Sequence, residues 1–269
     1  MIPVGILTAA ATSSFSYELD LYPGASVAYS LRKLRSAYTG NCIQVRRSSD
    51  NATQDIGFLN NVLDETALIT FVGANNGYVT IWYDQSTNSK NAIQNTLSNQ
   101  PQIVSSGIVI KVNSKPALLV DSTDTLVITP TLNMINFIIT SFSVFKRTAD
   151  NITFVFFGRV SGMKNYIFQN KYGLDANTSS IASQIDNTAN QTLLTAIRDT
   201  PSINEQYKNN VLLTKTTSSL VIVNDITNLF SDGITGSTGW GQEFIIYNSN
   251  QNSNISGINA NINAFYTIY

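Results

Sequence analysis

Tyr78-Val-Thr-Ile-Trp82-Tyr83-Asp84-Gln85-Ser86, read with Arg46-Arg47-Ser48-Ser49-Asp50 and Asp55-Ile56-Gly57-Phe58, decides the fold of this chain. The first segment alternates and then turns. Trp82 closes a strand and packs inward, while Asp84 and Gln85 turn the backbone through side-chain-to-backbone hydrogen bonds. Outward from it, most of the sequence consists of short alternating or apolar runs separated by Gly, Asn, Asp and Ser, the pattern of stacked antiparallel strands. Strands are expected near 43–47, 78–83, 108–112, 116–120, 125–128, 137–146, 152–158, 165–169, 181–185, 192–197, 210–215, 219–224 and 242–248. Such spacing predicts a sandwich. In the 137–146 run, Ser141 and Ser143 alternate with Phe142 and Val144, which predicts a strand leaving a covered region for a wetter one.

Two helices are expected. In the first, Val27, Leu31, Leu34 and Tyr38 share one face and Arg32, Lys33 and Arg35 the other, with Pro23-Gly24 at its start and Gly40 at its end. The second follows Ser256 and places Ile258, Ile262 and Phe265 on one stripe; its weak propensity requires docking on the sandwich.

Together with Ala28-Tyr29-Ser30-Leu31-Arg32-Lys33-Leu34 and Ser36-Ala37-Tyr38-Thr39-Gly40, the opening segments resemble the start of the catalytic domain of fungal-type α-L-arabinofuranosidase B. They look closer still to the concanavalin-A-like, laminin-G-like domains of tailed-bacteriophage structural proteins. The resemblance covers roughly 18–128 and returns at Glu243-Phe-Ile-Ile-Tyr-Asn248 through Tyr269. It implies an all-β, concanavalin-A-like antiparallel β-sandwich (jelly roll) with two short peripheral helices.

Composition narrows the functions. At 269 residues the chain can bury one large core, so a single sandwich over 15–269 is expected, preceded by an apolar, uncharged arm over 1–14 that docks on a neighbour. Net charge is −1 and only 12% of residues are charged, which leaves no basic field for nucleic acid. No apolar run reaches the roughly 18–20 residues that span a bilayer, and no positive residue precedes the short N-terminal apolar run, so neither membrane insertion nor a secretory signal is expected. Histidine is absent, which removes Ser-His-Asp and Cys-His catalysis and the commonest zinc ligand. The one cysteine, Cys42, reads as a small buried hydrophobe. The resembling fungal enzymes carry disulfides, so this departure implies assembly in a reducing cytoplasm. Five Asn-X-Ser/Thr sequons are expected by chance in so Asn-rich a chain.

Ligand-binding candidates are Trp82, Tyr83, Asp84, Gln85 and Trp240, because aromatic faces stack on sugar C–H groups and adjacent carboxylates or amides bind hydroxyls. Asp121-Ser-Thr-Asp124 offers hard oxygen ligands to a structural calcium ion, although it lacks the acidic density of a dedicated loop; no other cofactor is expected. A retaining glycosidase needs two carboxyl groups about 5 Å apart. The resembling enzymes use a glutamate nucleophile in an Asp-Leu-Glu-Asn-Gly pattern and an aspartate acid. Here Asn224-Asp225-Ile226-Thr227-Asn228 is nearest in texture and lacks the glutamate. Of the four glutamates, Glu18 and Glu65 come too early, Glu205 sits in an expected polar loop, and Glu243 stands in an expected closing strand.

The resulting expectation is a non-enzymatic bacteriophage virion protein, a capsid decoration, head fibre or tail fibre subunit with no catalytic residue. Its expected partners are other virion proteins, further copies of itself and a host-surface glycan. An arabinofuranosidase-like hydrolase and a stand-alone carbohydrate-binding protein remain open as alternatives.

Overall fold

Ile43 and Val45 face the core while Gln44 faces away, and the same two-residue period appears in the strands at 91–93 and 118–120. The computed structural model describes residues 15–133, 138–149, 153–159, 163–168, 171–176, 189–199, 203–216 and 225–269. The expected arm over 1–14 and the expected strands at 181–185 and 219–224 lie outside them.

One layer of the sandwich is built from β1 (Ala25–Ser30), β7 (Leu118–Val120), β9 (Ile138–Arg147), β13 (Thr192–Asp199), β14 (Ile203–Lys208), β15 (Val211–Thr216) and β17 (Gly239–Tyr247). β17 lies beside β9, with β1 and β7 sharing its other edge; β13, β14 and β15 follow beyond β9. The other layer holds β2 (Ile43–Arg47), β3 (Thr53–Ile56), β4 (Gly77–Trp82), β5 (Asn91–Ile93), β8 (Leu126–Asn133), β10 (Phe154–Gly158), β11 (Met163–Phe168), β12 (Lys171–Ala176) and β16 (Asp225–Leu229). Its order is β3-β2-β4-β5-β8-β16-β10-β11-β12, antiparallel throughout. β6 (Gln102–Ser105) pairs with β4 on one side and, at Gln102↔Leu119, with β7 on the other, so the layers are stitched along one edge. This is the all-β sandwich expected from the strand spacing.

Val27, Val45, Val79, Trp82, Phe145, Phe156 and Phe244 fill the space between the layers. A second apolar cluster lies on the outer face of the first layer, where Ala28, Phe142, Val144 and Ile245 meet Ile258, Ile262 and Tyr266 of the C-terminal helix α3 (Ile255–Tyr266). The helix after Ser256 is therefore present and docked, as its stripe requires.

Three expectations are corrected. The segment expected as a helix around 27–38 instead contributes β1, with Ala28↔Ile245 and Tyr29↔Phe244. Val27 enters one apolar cluster and Ala28 the other, so a strand covered on both faces imitates a helical stripe. The helices before α3 are short: α1 (Glu18–Leu21) and α2 (Glu65–Val72), the latter capped by Asp64, whose carboxylate accepts the Ala67 N–H at 2.9 Å. Ser141 and Ser143 are buried rather than wetter, because the layer is covered along the whole of β9. Glu205 lies in β14 and not in a loop; it is buried beside Lys215 on the neighbouring strand.

Candidate active site

At the stitched edge of the sandwich is a cavity of about 630 Å³. β2 supplies Arg46, β4 Tyr78 and β6 Gln102 to one wall, and the turn after β7 supplies Asp121 and Asp124 to the other. The 3₁₀ turn Leu97–Asn99 stands between them. Arg46 holds one end of that segment, with Nε donating to Gln100 Oε1 at 2.6 Å, and its Nη1 donates to Asn51 Oδ1 at 2.8 Å. The Arg46 guanidinium lies 4.7 Å from the Tyr78 ring centroid. Beside it, the Thr125 N–H donates to the Asn99 carbonyl at 3.1 Å.

The Asp121–Asp124 turn is self-bonded. The Asp121 N–H donates to Asp124 Oδ2 at 2.9 Å, and Asp121 Oδ1 accepts both the N–H and the hydroxyl of Thr123 at 2.7 Å. Burial pushes the Asp124 carboxyl up to about 7; the Asp121 N–H lowers it, and the neighbouring Asp121 charge raises it further. Asp124 thus titrates near neutral pH, while Asp121 is exposed at the cavity. Gly236 packs against this turn so closely that a Cβ there would sit 2.0 Å from the Ser122 carbonyl oxygen. Its loop is held by Asp232, whose Oδ1 accepts the N–H groups of Ile234 and Thr235. Among the described residues no cluster of three acidic, His or Cys side chains forms a metal site.

The sequence-derived candidates divide. Trp82 is fully buried between the layers, stacked on Phe230 at 6.3 Å and edge-on to Phe244 at 5.9 Å. Asp84 accepts the N–H groups of Ala28, Ser86 and Lys90 and the Ser86 hydroxyl, and burial raises its carboxyl. Gln85 accepts from Leu34 N and donates to the Ser30 and Arg32 carbonyls. Tyr83 donates its hydroxyl to Asp55. These four residues bind the fold to itself, and none lines the cavity. Trp240 lies beside the cavity wall, directly paired with Leu119, and Lys146 Nζ sits 5.5 Å from its ring centroid. Arg46, Tyr78 and Gln102 were not among the sequence candidates, and Asp121 and Asp124 were considered only as calcium ligands; the alternation in 43–47 and 78–83 puts Arg46 and Tyr78 on strands, but only cross-strand register makes them neighbours.

No glutamate lines the cavity. Glu243 is buried in a bidentate pair with Arg32 and also accepts from the Ser30 and Tyr266 hydroxyls. Glu18 lies 3.8 Å from the same arginine, and Glu65 pairs with Lys111. Cys42 is buried, and that burial pushes its thiol well above the usual range.

The family model described as "Alpha-L-arabinofuranosidase B, catalytic" matches residues 20–118, the stretch that carries Arg46, Tyr78 and Gln102. No curated protein matches the chain. Among solved structures, an arabinofuranosidase complexed with arabinofuranosyl-α-1,2-xylobiose shares the fold with a TM-score of 0.71 and 15% identity, covering 92% of this chain and 64% of that one. A GH54 α-L-arabinofuranosidase soaked with a cyclic sulfate inhibitor gives 0.69 at 15% identity, covering 88% and 62%. The chain therefore spans less than two thirds of the length of these structures. The chain thus resembles arabinofuranosidases in fold, and in sequence over 20–118.

These matches correct the functional expectation. The matching model is that of an enzyme's catalytic domain, and the two structures above that share the fold are arabinofuranosidases. They speak against the bacteriophage virion reading, with its capsid and fibre roles, and against the expectation of no enzymatic activity. They favour the hydrolase alternative.

Proposed function

We propose that the chain is an arabinofuranosidase-like glycoside hydrolase domain, with the cavity beside Asp121 and Asp124 as its catalytic site. The observation that carries this reading is the placing of two neighbouring carboxyl groups in one cavity: Asp124, buried, with burial pushing its carboxyl up to about 7, beside the exposed Asp121. The family model of an arabinofuranosidase catalytic domain over 20–118 supports the hydrolase reading but ends before Asp121.

Asp124 donates its proton to the glycosidic oxygen as the bond to the leaving group breaks, so that no alkoxide has to depart. Asp121 is the second carboxylate, acting on the anomeric carbon either directly or through water. Arg46 Nη2, whose acceptor among the described residues is the Leu97 carbonyl at a long 3.5 Å, and the Tyr78 ring hold the sugar against the opposite wall.

Hydrolysis of 4-nitrophenyl α-L-arabinofuranoside and of an arabinose-substituted xylo-oligosaccharide tests the proposal. Asp124→Asn should lower turnover of the oligosaccharide by about 10²- to 10⁴-fold and that of the aryl glycoside less, because nitrophenolate leaves without a proton. Asp121→Asn should abolish both. A folded wild-type chain that hydrolyses neither substrate overturns the assignment.

A further inference from the structure

The register places six residues in one cross-strand row, with an irregularity in the β4–β6 ladder between Gly77 and Tyr78: Arg46↔Tyr78↔Gln102↔Leu119↔Trp240↔Lys146. Directly opposed residues in antiparallel strands share a face. Their chain neighbours Val45, Val79, Ile103, Leu118, Val120 and Phe145 belong to the core, so the row faces away from it. Five inter-strand steps make it about 24 Å long. The cavity occupies the Arg46-to-Leu119 part, and Trp240 and Lys146 continue it across the stitched edge.

The chemistry of the row is directional. A cation lies over an aromatic ring at each end, Arg46 over Tyr78 and Lys146 over Trp240. Neither cation has a carboxylate partner: Arg46, only 7% exposed, bonds to the neutral Gln100, Asn51 and Leu97 carbonyls, and Lys146 is in no ion pair among the described residues. A buried guanidinium with neutral partners alone is under-compensated, and an anion arriving beside it gains more than it would on open surface. Between the two cations lie an amide, an isobutyl group and an indole, which suit hydroxyls and sugar C–H faces.

We propose that this row is a binding strip for an extended acidic glycan, whose uronate carboxylates meet Arg46 and Lys146 while its rings lie along Tyr78, Leu119 and Trp240. The inference deepens the glycosidase reading of the cavity and rests on it: the furanosyl group cleaved beside Asp124 is carried on an acidic main chain. Asp121 and Asp124 line the same cavity as Arg46, and among the described residues neither forms an ion pair with it.

Calorimetric titration of the full chain with a tetramer of galacturonic acid and with neutral xylotetraose tests the strip. Wild type should bind the acidic tetramer at least tenfold more tightly, and raising salt from 20 to 300 mM should shrink that preference as screening predicts. Lys146→Gln should reduce the preference several-fold with affinity for xylotetraose unchanged, and Trp240→Ala should weaken both ligands. Arg46→Gln should also reduce the preference and, because Arg46 holds the sugar in the cavity, weaken xylotetraose as well; should it fail to fold, the Lys146 variant and the salt series carry the decision. Equal affinities for the two tetramers, or an acidic preference that survives both Lys146→Gln and Trp240→Ala, overturns the proposal. Binding of neither tetramer also overturns it, while turnover of the small aryl arabinofuranoside, which needs only the cavity, reports separately on the glycosidase reading.

Discussion

Arg32 and Glu243 face each other as a fully buried bidentate pair, with Nε–Oε2 at 2.8 Å and Nη2–Oε1 at 2.9 Å. Arg32 follows β1, Glu243 stands in β17, and the Arg32 Nη1 reaches Asn261 of α3 at 2.7 Å. One guanidinium thus ties the edge of the first layer to the helix that covers it. Removing either partner leaves an uncompensated buried charge. Glu243→Gln should therefore cost about 3–5 kcal/mol in denaturant unfolding. A variant with wild-type stability would return Glu243 to the list of functional carboxylates.

Glu18 supplies a pH test of the same cluster. Burial pushes its carboxyl up to about 8; Arg32 lowers it and Glu243 raises it further. The folded value lies above the ordinary 4.5, so the native state binds the proton more tightly than the unfolded chain. Glu18's contribution to stability is full below about 4.5 and is lost as pH rises to about 8. Melting temperatures across that window should fall with pH in wild type, and Glu18→Gln should remove this component of the slope. Parallel curves for the two proteins would show that Glu18 does not titrate there.

Asp124 predicts the alkaline limb of activity. With its carboxyl at about 7, the acid-competent form is depleted above that pH, and kcat/KM for the oligosaccharide should fall about tenfold per unit beyond it. Asp124→Asn should flatten the limb. An unchanged limb in that variant would assign the proton donor to another group.

Trp82 anchors the core between the layers, with Phe230, Phe244 and Tyr29 around it. Trp82→Ala should cost about 3–5 kcal/mol through the cavity it leaves. Retained melting temperature with lost glycan binding would instead make Trp82 a ligand residue.

Gly236 tests the coupling of the second loop to the site. A methyl group there meets backbone, the Ser122 carbonyl oxygen, which no rotamer change can relieve. Gly236→Ala should displace the Asp121–Asp124 turn, costing about 1–3 kcal/mol of stability and lowering turnover more than it raises KM. Wild-type kinetics would show that the turn tolerates movement of its neighbour.

Local pattern alone determined a good part of this protein. Alternation marked 43–47, 78–83 and 242–248 as strands, the Ile258-Ile262-Phe265 stripe marked the last helix, and Asp84 and Gln85 were legible as a structural turn. Each signal is carried by side chains within one or two turns of each other, where backbone periodicity sets the direction in which they point. The resemblance carried by 18–128 led to the sandwich, and its arabinofuranosidase branch was the one the comparisons supported.

Tertiary structure decided the rest. β1 imitated a helix because both of its faces are covered, a condition set by α3 and β17 more than 200 residues away. Glu243 looked available until Arg32 was placed against it. Nothing in the spacing of Arg46, Tyr78, Gln102, Leu119, Trp240 and Lys146 signals a common surface, because cross-strand neighbours are chosen by register and not by sequence distance. Asp124, too, differs from any other turn aspartate only through the burial its surroundings impose: the sequence supplies the carboxyl, and desolvation by the folded edge of the sandwich keeps the proton on it.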